Sequence, residues 1–153
     1  MTTVPKLKIL AVASSGGHWI QLLRLKSALQ GHETVYVTVD PRSAASVPGC
    51  RVHLVPDSNQ YSKLRVLQGL LAMFWIMLRE RPDVIISTGA APGLLAVVLG
   101  KLMGARTLWL DSIANADRLS LSGKLAGRYA NLWLTQWPHL AGVDGPSFRG
   151  AVL

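Results

Sequence analysis

A hydrophobic run, a Ser/Gly turn and an amphipathic helical pattern follow one another without a break over residues 9–29 (ILAVASSGGHWIQLLRLKSAL). This unit constrains the fold of the whole chain. The small aliphatic run 9–13 needs cover on both faces, which a strand inside a parallel α/β sheet receives and an exposed hairpin does not. Ser14, Ser15, Gly16 and Gly17 then offer hydroxyls and unobstructed backbone amides where a helix begins. The first amides of a helix have no partner within it and stand at the positive end of its dipole, so an anion, phosphate above all, is favoured there. His18 falls in the first helical turn at the rim of that site, in reach of a bound ligand or of its proton. The plainer alternative is a tight strand-to-helix connection in which the glycines serve only the turn and His18 is solvated.

The same alternation continues along the chain. Trp19, Leu22, Leu23 and Leu29 recur on a helical period with Gln21, Arg24 and Gln30 opposite, and Gly31 is the stop. Further strands are read at 34–39, 51–55, 83–87, 106–110 and 132–135, from their β-branched and aliphatic runs. The segment 41–50 reads as loop or a single helical turn, His53 as a packed or surface residue, and Ser62 as an N-cap after a polar loop at 56–63. A second small-residue loop follows the strand at 83–87: Thr88, Gly89, Ala90, Ala91, Pro92 and Gly93, with Pro92 suited to a first helical position and Gly104 ending the helix. In an open parallel sheet the loops at the carboxyl ends of the strands share one rim, and ligands bind there. The strand at 106–110 delivers Asp111 and Ser112 to that rim, ahead of a polar loop containing Asn115. A helix over 121–130, weakened by Gly123 and Gly127, precedes the last strand. The Gly- and Pro-containing segment 141–153 is expected to be unfolded or draped over a partner.

Residues 63–81 (KLRVLQGLLAMFWIMLRER) carry thirteen residues between Arg65 and Arg79 of which only Gln68 is polar. Spanning a bilayer takes about 20 apolar residues, so this is not a transmembrane helix. It is either a core helix between the sheet and a neighbour, or a helix whose outer face (Met73, Phe74, Trp75 and Met77 are candidates) meets the bilayer interface while Lys63, Arg65, Arg79 and Arg81 reach lipid phosphates. Both hold if they apply to opposite faces. The chain has 153 residues and a formal charge of +8, which suits one α/β domain with an anionic partner. Half the residues are hydrophobic and only 16% are charged. That balance favours a membrane or phosphorylated substrate over nucleic acid, for which basic residues interleaved with exposed aromatics are missing. The single Cys50 and the lack of a signal-like amino end point to the cytoplasm. The four histidines show no metal-ligand spacing, GxSxG does not occur, and SSGGHW lacks two glycines of the dinucleotide fingerprint. No metal and no cofactor are called for.

SSGGHWIQLL after a first strand, DVIISTGAAPG after a fourth, and LWLDSIANADRLSLSGKLA followed by LTQWPHLA together resemble the Alg-fourteen-like and PssD-like glycosyltransferase subunits, themselves similar to the amino-terminal domain of MurG. The resemblance runs from Lys8 to about Leu140. It implies a Rossmann-like domain over 1–140, one half of a GT-B fold, that binds a lipid-linked acceptor peripherally on the inner face of the cell membrane. The nucleotide-sugar, a UDP-sugar, would be bound by a separate donor-binding partner, Alg-thirteen-like or PssE-like. The implied reaction is inverting transfer to a polyprenyl-diphosphate-linked saccharide in surface polysaccharide biosynthesis. The lipid diphosphate would rest on the amides of Ser15, Gly16 and Gly17, with Thr88 to Gly93 closing the other side. His18 is then the general base or a holder of the acceptor phosphate, Asp111 is the rival base, and Ser112 and Asn115 hydrogen-bond sugar hydroxyls. Two features depart from the family: two serines replace part of a glycine run, and no amino-terminal anchor is seen, which leaves any anchoring to residues 64–78. The competing expectation is a non-catalytic scaffold that recruits a catalytic partner to the membrane.

Overall fold

The computed structural model describes residues 4–57 and 62–152, so part of the polar loop expected at 56–63 lies outside the described residues. Its elements run β1 (Lys8–Val12), α1 (Gly17–Arg24), β2 (Glu33–Thr38), β3 (Arg51–Leu54), α2 (Lys63–Glu80), β4 (Val84–Ser87), α3 (Ala90–Leu102), β5 (Arg106–Leu110), α4 (Leu121–Ala126), β6 (Leu132–Thr135) and β7 (Ser147–Phe148). The seven strands form one sheet in the order β3-β2-β1-β4-β5-β6-β7, and each adjacent pair is parallel. This is the Rossmann-like, doubly wound order, which reverses between β1 and β4.

The strand at the centre shows why the aliphatic run at 9–13 needs cover on two sides. Ile9, Ala11 and Ala13 pack with Trp19, Leu22, Leu29 and Tyr36 on the α1 face. Leu10 and Val12 pack with residues of α2, α3 and α4 on the other. Period-two alternation thus feeds two separate cores. In α2 the buried positions Gly69, Met73, Ile76, Met77 and Glu80 make one stripe, while Leu64, Leu67, Leu71, Phe74, Trp75 and Leu78 are exposed along the opposite side. Met73 and Met77, expected on the outer face, are therefore core residues. Their helical spacing from Ile76 puts them against the sheet.

Three further expectations change in the structure. The helix begun at Gly17 tightens into a 3₁₀ turn at Lys26–Leu29, which carries Leu29 into the core. Helix α4 ends at Ala126 and does not run on to residue 130; Gly127, its C-cap, lies so close to the Trp133 ring that a Cβ there would fall on it. The segment after Leu140, expected to be unfolded or draped over a partner, pairs as β7 with β6, Leu134 opposite Ser147 and Thr135 opposite Phe148. Beyond it the Val152 amide donates to Gln136 Oε1 at 2.8 Å, and Arg24 Nη1 donates to the Val152 carbonyl at 3.0 Å.

The amino end of the sheet is fastened by Glu80, whose side chain is almost fully buried. His53 Nε2 lies 2.7 Å from Oε1, while Lys8 Nζ at 3.1 Å and Arg51 Nη1 at 3.5 Å face Oε2. Burial opposes the charge of this carboxylate, but hydrogen bonds from His53 and Lys8 and the charges of Arg51 and Lys8 outweigh it and hold its pKa below the usual value. His53 is thus packed as part of an ion cluster. No helix among the described residues is long and apolar enough to cross a membrane.

Candidate functional site

Val12 of β1 pairs with Ser87 of β4, so both strands end at the same level and their loops open side by side where the strand order reverses. Residues Ser15, Gly16 and Gly17 are exposed there and Ser14 is half-buried. Gly16 takes a positive φ of 60°, and no side chain caps the start of α1. The first helical bond runs from the Ile20 amide to the Gly16 carbonyl at 3.0 Å. The amides of Gly17, His18 and Trp19, which precede it, have no acceptor within the helix. The loop therefore presents an open backbone with the N–H polarity that an anion needs.

His18 bridges the two loops. Its Nδ1 lies 3.1 Å from the Thr88 carbonyl oxygen, and Thr88 Oγ1 donates back to the His18 carbonyl at 2.7 Å. A carbonyl only accepts, so Nδ1 carries a proton, and in the neutral ring Nε2 keeps its lone pair. Gly89, at φ 139°, lies close against the imidazole, and a Cβ there would fall on Nδ1 and Cε1. The loop after β4 consequently supports His18 directly. Thr88, Gly89 and Gly93 are buried, the Gly89 amide donates to Ser87 Oγ at 3.2 Å, and Gly93 gives room to Ser87 and Trp109. They steady His18 and the strand end, and α3, like α1, starts without a side-chain cap. Helix α3 starts at Ala90, so Pro92 is its third residue.

Asp111 is 1% exposed, and its carboxylate accepts four hydrogen bonds: from Trp109 Nε1 and Ser120 Oγ on Oδ1, and from Asn115 Nδ2 and the Ser120 amide on Oδ2. Those donors occupy both oxygens, which removes Asp111 as a rival base and makes it the organiser of loop 112–120. Ser120 in turn caps α4 through the Gly123 amide at 2.8 Å, and Gly123 has no Cβ because one would meet Asp111 and Ser120. Asn115 Nδ2 donates to Asp111, and Ser112 Oγ accepts from Gln21 Nε2 and the Ala114 amide. Asn115 Oδ1 and the Ser112 hydroxyl proton are not used in these bonds. Beside Asn115 a cavity of about 360 Å³ opens, with Arg118 and Lys124 on its wall.

The residues that a linear reading misses are Gln21 and Gln136. Gln21 stands on the expected polar face of α1, yet it is buried: its Oε1 accepts from Gln136 Nε2 at 2.6 Å and from the Ile113 amide at 3.2 Å. Gln136 Nε2 also reaches the Asp111 carbonyl at 3.0 Å. Trp137 Nε1 donates to the Ile113 carbonyl at 2.7 Å, and His139 Nε2 lies 2.6 Å from that of Ala116. A buried polar chain thus ties α1 to the loops after β5 and β6, joining the stretches SSGGHWIQLL, LWLDSIANADRLSLSGKLA and LTQWPHLA. Lys63, Arg65, Phe74, Trp75 and Arg79 are exposed on α2, and none of these cations forms an ion pair among the described residues.

With this geometry in hand, the similarities to known proteins are specific. A family model described as "Oligosaccharide biosynthesis protein Alg14 like" matches residues 43–151. The chain is 25% identical over 173 residues to the UDP-N-acetylglucosamine transferase subunit ALG14 of Mus musculus, covering 92% of this chain and 80% of that protein. It is 28% identical over 164 residues to the subunit alg14 of Schizosaccharomyces pombe, covering 87% and 77%. Among solved structures it resembles MurG of Acinetobacter baumannii with a TM-score of 0.76 at 13% identity, over 94% of this chain and 45% of that one. The chain therefore spans less than half the length of MurG. UDP-GlcNAc 2-epimerase from Methanocaldococcus jannaschii matches with a TM-score of 0.64 at 12% identity, over 84% of this chain and 39% of that one. The shared architecture is thus that of GT-B proteins such as MurG, and since an epimerase has it too, fold alone does not select the chemistry. The match over 43–151, more than half of the chain, makes it a member of the Alg14-like family of oligosaccharide biosynthesis proteins.

Proposed function

We propose that this chain is the acceptor-binding and membrane-binding subunit of a two-chain inverting glycosyltransferase. The donor is UDP-N-acetylglucosamine, following the names of the relatives, and it is held by a separate partner of the Alg-thirteen-like or PssE-like kind. The acceptor is a polyprenyl-diphosphate-linked saccharide of surface polysaccharide synthesis, met at the inner face of the cell membrane. Its diphosphate lies on the open amides at the start of α1, with Ser14 and Ser15 beside it, and Arg118 and Lys124 add positive charge farther along the rim. Its reacting hydroxyl lies at His18 Nε2. As the hydroxyl oxygen bonds to the anomeric carbon, His18 takes its proton, the bond from that carbon to the diphosphate oxygen breaks, and UDP leaves.

The observation that carries this reading is the bond from His18 Nδ1 to the Thr88 carbonyl at the point of strand-order reversal. It fixes the tautomer a base requires, and protonation of Nε2 leaves it intact. In the pair reconstituted with its partner, His18→Ala is expected to lower turnover about 10²- to 10⁴-fold with little change in acceptor KM. A loss confined to KM and recovered by His18→Gln would reassign His18 to holding phosphate. Unchanged turnover would favour the reading in which the chain only recruits a catalytic partner to the membrane.

A further inference from the structure

The amino end of the sheet, opposite the His18 rim, contains a cavity of about 720 Å³ between the ends of α2 and α3. Leu7, Met77, Leu78 and Met103 supply apolar wall, and Arg81 and Arg106 stand on the same lining. Its size falls within the roughly 300–1,000 Å³ of small-molecule sites. Two observations mark it as more than a packing gap. Neither guanidinium has an ion-pair partner among the described residues. The wall carries a single acid, Asp83, against these two guanidinium groups, so positive charge is left in excess.

Apolar wall and unpaired guanidinium groups at one opening are complementary to a molecule with the same two halves. Leu78 belongs both to this cavity and to the exposed apolar side of α2, which gives a hydrocarbon chain a continuous path between the two. We propose that the cavity binds a single-chain amphiphile with an anionic phosphate head, of the lysophospholipid type. The acyl chain lies against Met77, Leu78 and Met103, and the phosphate lies between Arg81 and Arg106, whose planar donors match phosphate oxygens in pairs. A neutral lipid would leave both cations unmatched, and a small anion would leave the apolar wall in water.

The test needs neither partner subunit nor sugar donor, so its outcome is separate from that of the transfer reading. Titration calorimetry of the full chain with lysophosphatidate, below its micelle concentration, is expected to show saturable binding. Lysophosphatidylcholine should bind at least about tenfold more weakly, and glycerol 3-phosphate should not bind. Oleate reports whether a carboxylate head suffices, and it is expected to be weaker than lysophosphatidate. The double variant R81Q/R106Q should bring the two lysolipids to equal affinity, and Met103→Trp, which fills the mouth, should weaken both. Each variant is checked for an unchanged far-ultraviolet circular dichroism spectrum. Undiminished binding in Met103→Trp combined with loss in Phe74→Ser/Trp75→Ser would assign the lipid to the α2 surface and overturn the proposal. Equal affinity for the two lysolipids, or no binding at all, would overturn it as well.

Discussion

A side chain that exchanges a proton must be held in one tautomer and one orientation. His18 is held by a main-chain carbonyl across 70 residues of sequence and by the close approach of Gly89. Gly89→Ala is accordingly expected to displace the ring and to destabilise the fold by about 1–3 kcal/mol, because φ at this position is hostile to a side chain. Transfer by the reconstituted pair should fall along with thermal stability. In a His18→Ala background, where no ring is struck, the same substitution should cost distinctly less, and a double-mutant cycle measures the difference. Additive effects would show that Gly89 acts apart from His18. The Ser-Ser-Gly-Gly-His string announces its open turn in sequence, since glycine and serine before a helical pattern have few other uses. Asp111 does not announce its role. An acid at a strand end reads as chemistry until four donors from Trp109, Asn115 and Ser120 are seen around it. Gln21 and Gln136 stay hidden for a related reason: the bond between them spans 115 residues and that from Gln21 to Ser112 spans 91, and a polar residue on a short helix looks solvated until the loop that buries it is known.

Helix α2 separates stability from surface binding on its two sides. Met73 is fully buried and Trp75, two residues on, is 69% exposed. Met73→Ala should therefore cost about 2–5 kcal/mol in denaturant unfolding, as core truncations do. The pair Phe74→Ser and Trp75→Ser should leave unfolding nearly unchanged while lowering recovery with phosphatidylglycerol vesicles in flotation. If the double variant floats as well as the parent, this side of α2 is not the membrane contact. The sequence pattern of α2 was apolar on every side, so it was legible as a helix but silent about which side faced the sheet. That was decided by β1, β4 and α3, whose packing picks out Met73, Ile76 and Met77. The strands were easier to read, because burial on both faces demands unbroken aliphatic runs. The two-residue β7 was not legible, since Ser147 and Phe148 carry no pattern of their own and take strand form only through pairing with Leu134 and Thr135.

At the scale of the whole molecule, the chain corresponds to 45% of MurG, and its rim presents open amides and His18. We expect the isolated chain to transfer no sugar and to bind UDP-N-acetylglucosamine poorly, and calorimetry with the donor alone checks this. Tight donor binding by the single chain would argue against a divided enzyme. The path of α2 adds a geometric consequence. Because β3 and β4 are parallel neighbours in chain order, α2 must run back against the strands, from the His18 end of the sheet to the end that holds Glu80. Its 18 residues extend about 27 Å. A molecule resting on the outer side of α2 would lie with its strands along the plane of the bilayer, and the rim would open sideways, level with the lipid head groups. A tethered substrate would then arrive by diffusing within two dimensions, so the encounter rate would follow its density per unit area of membrane and hardly respond to the volume of the surrounding solution.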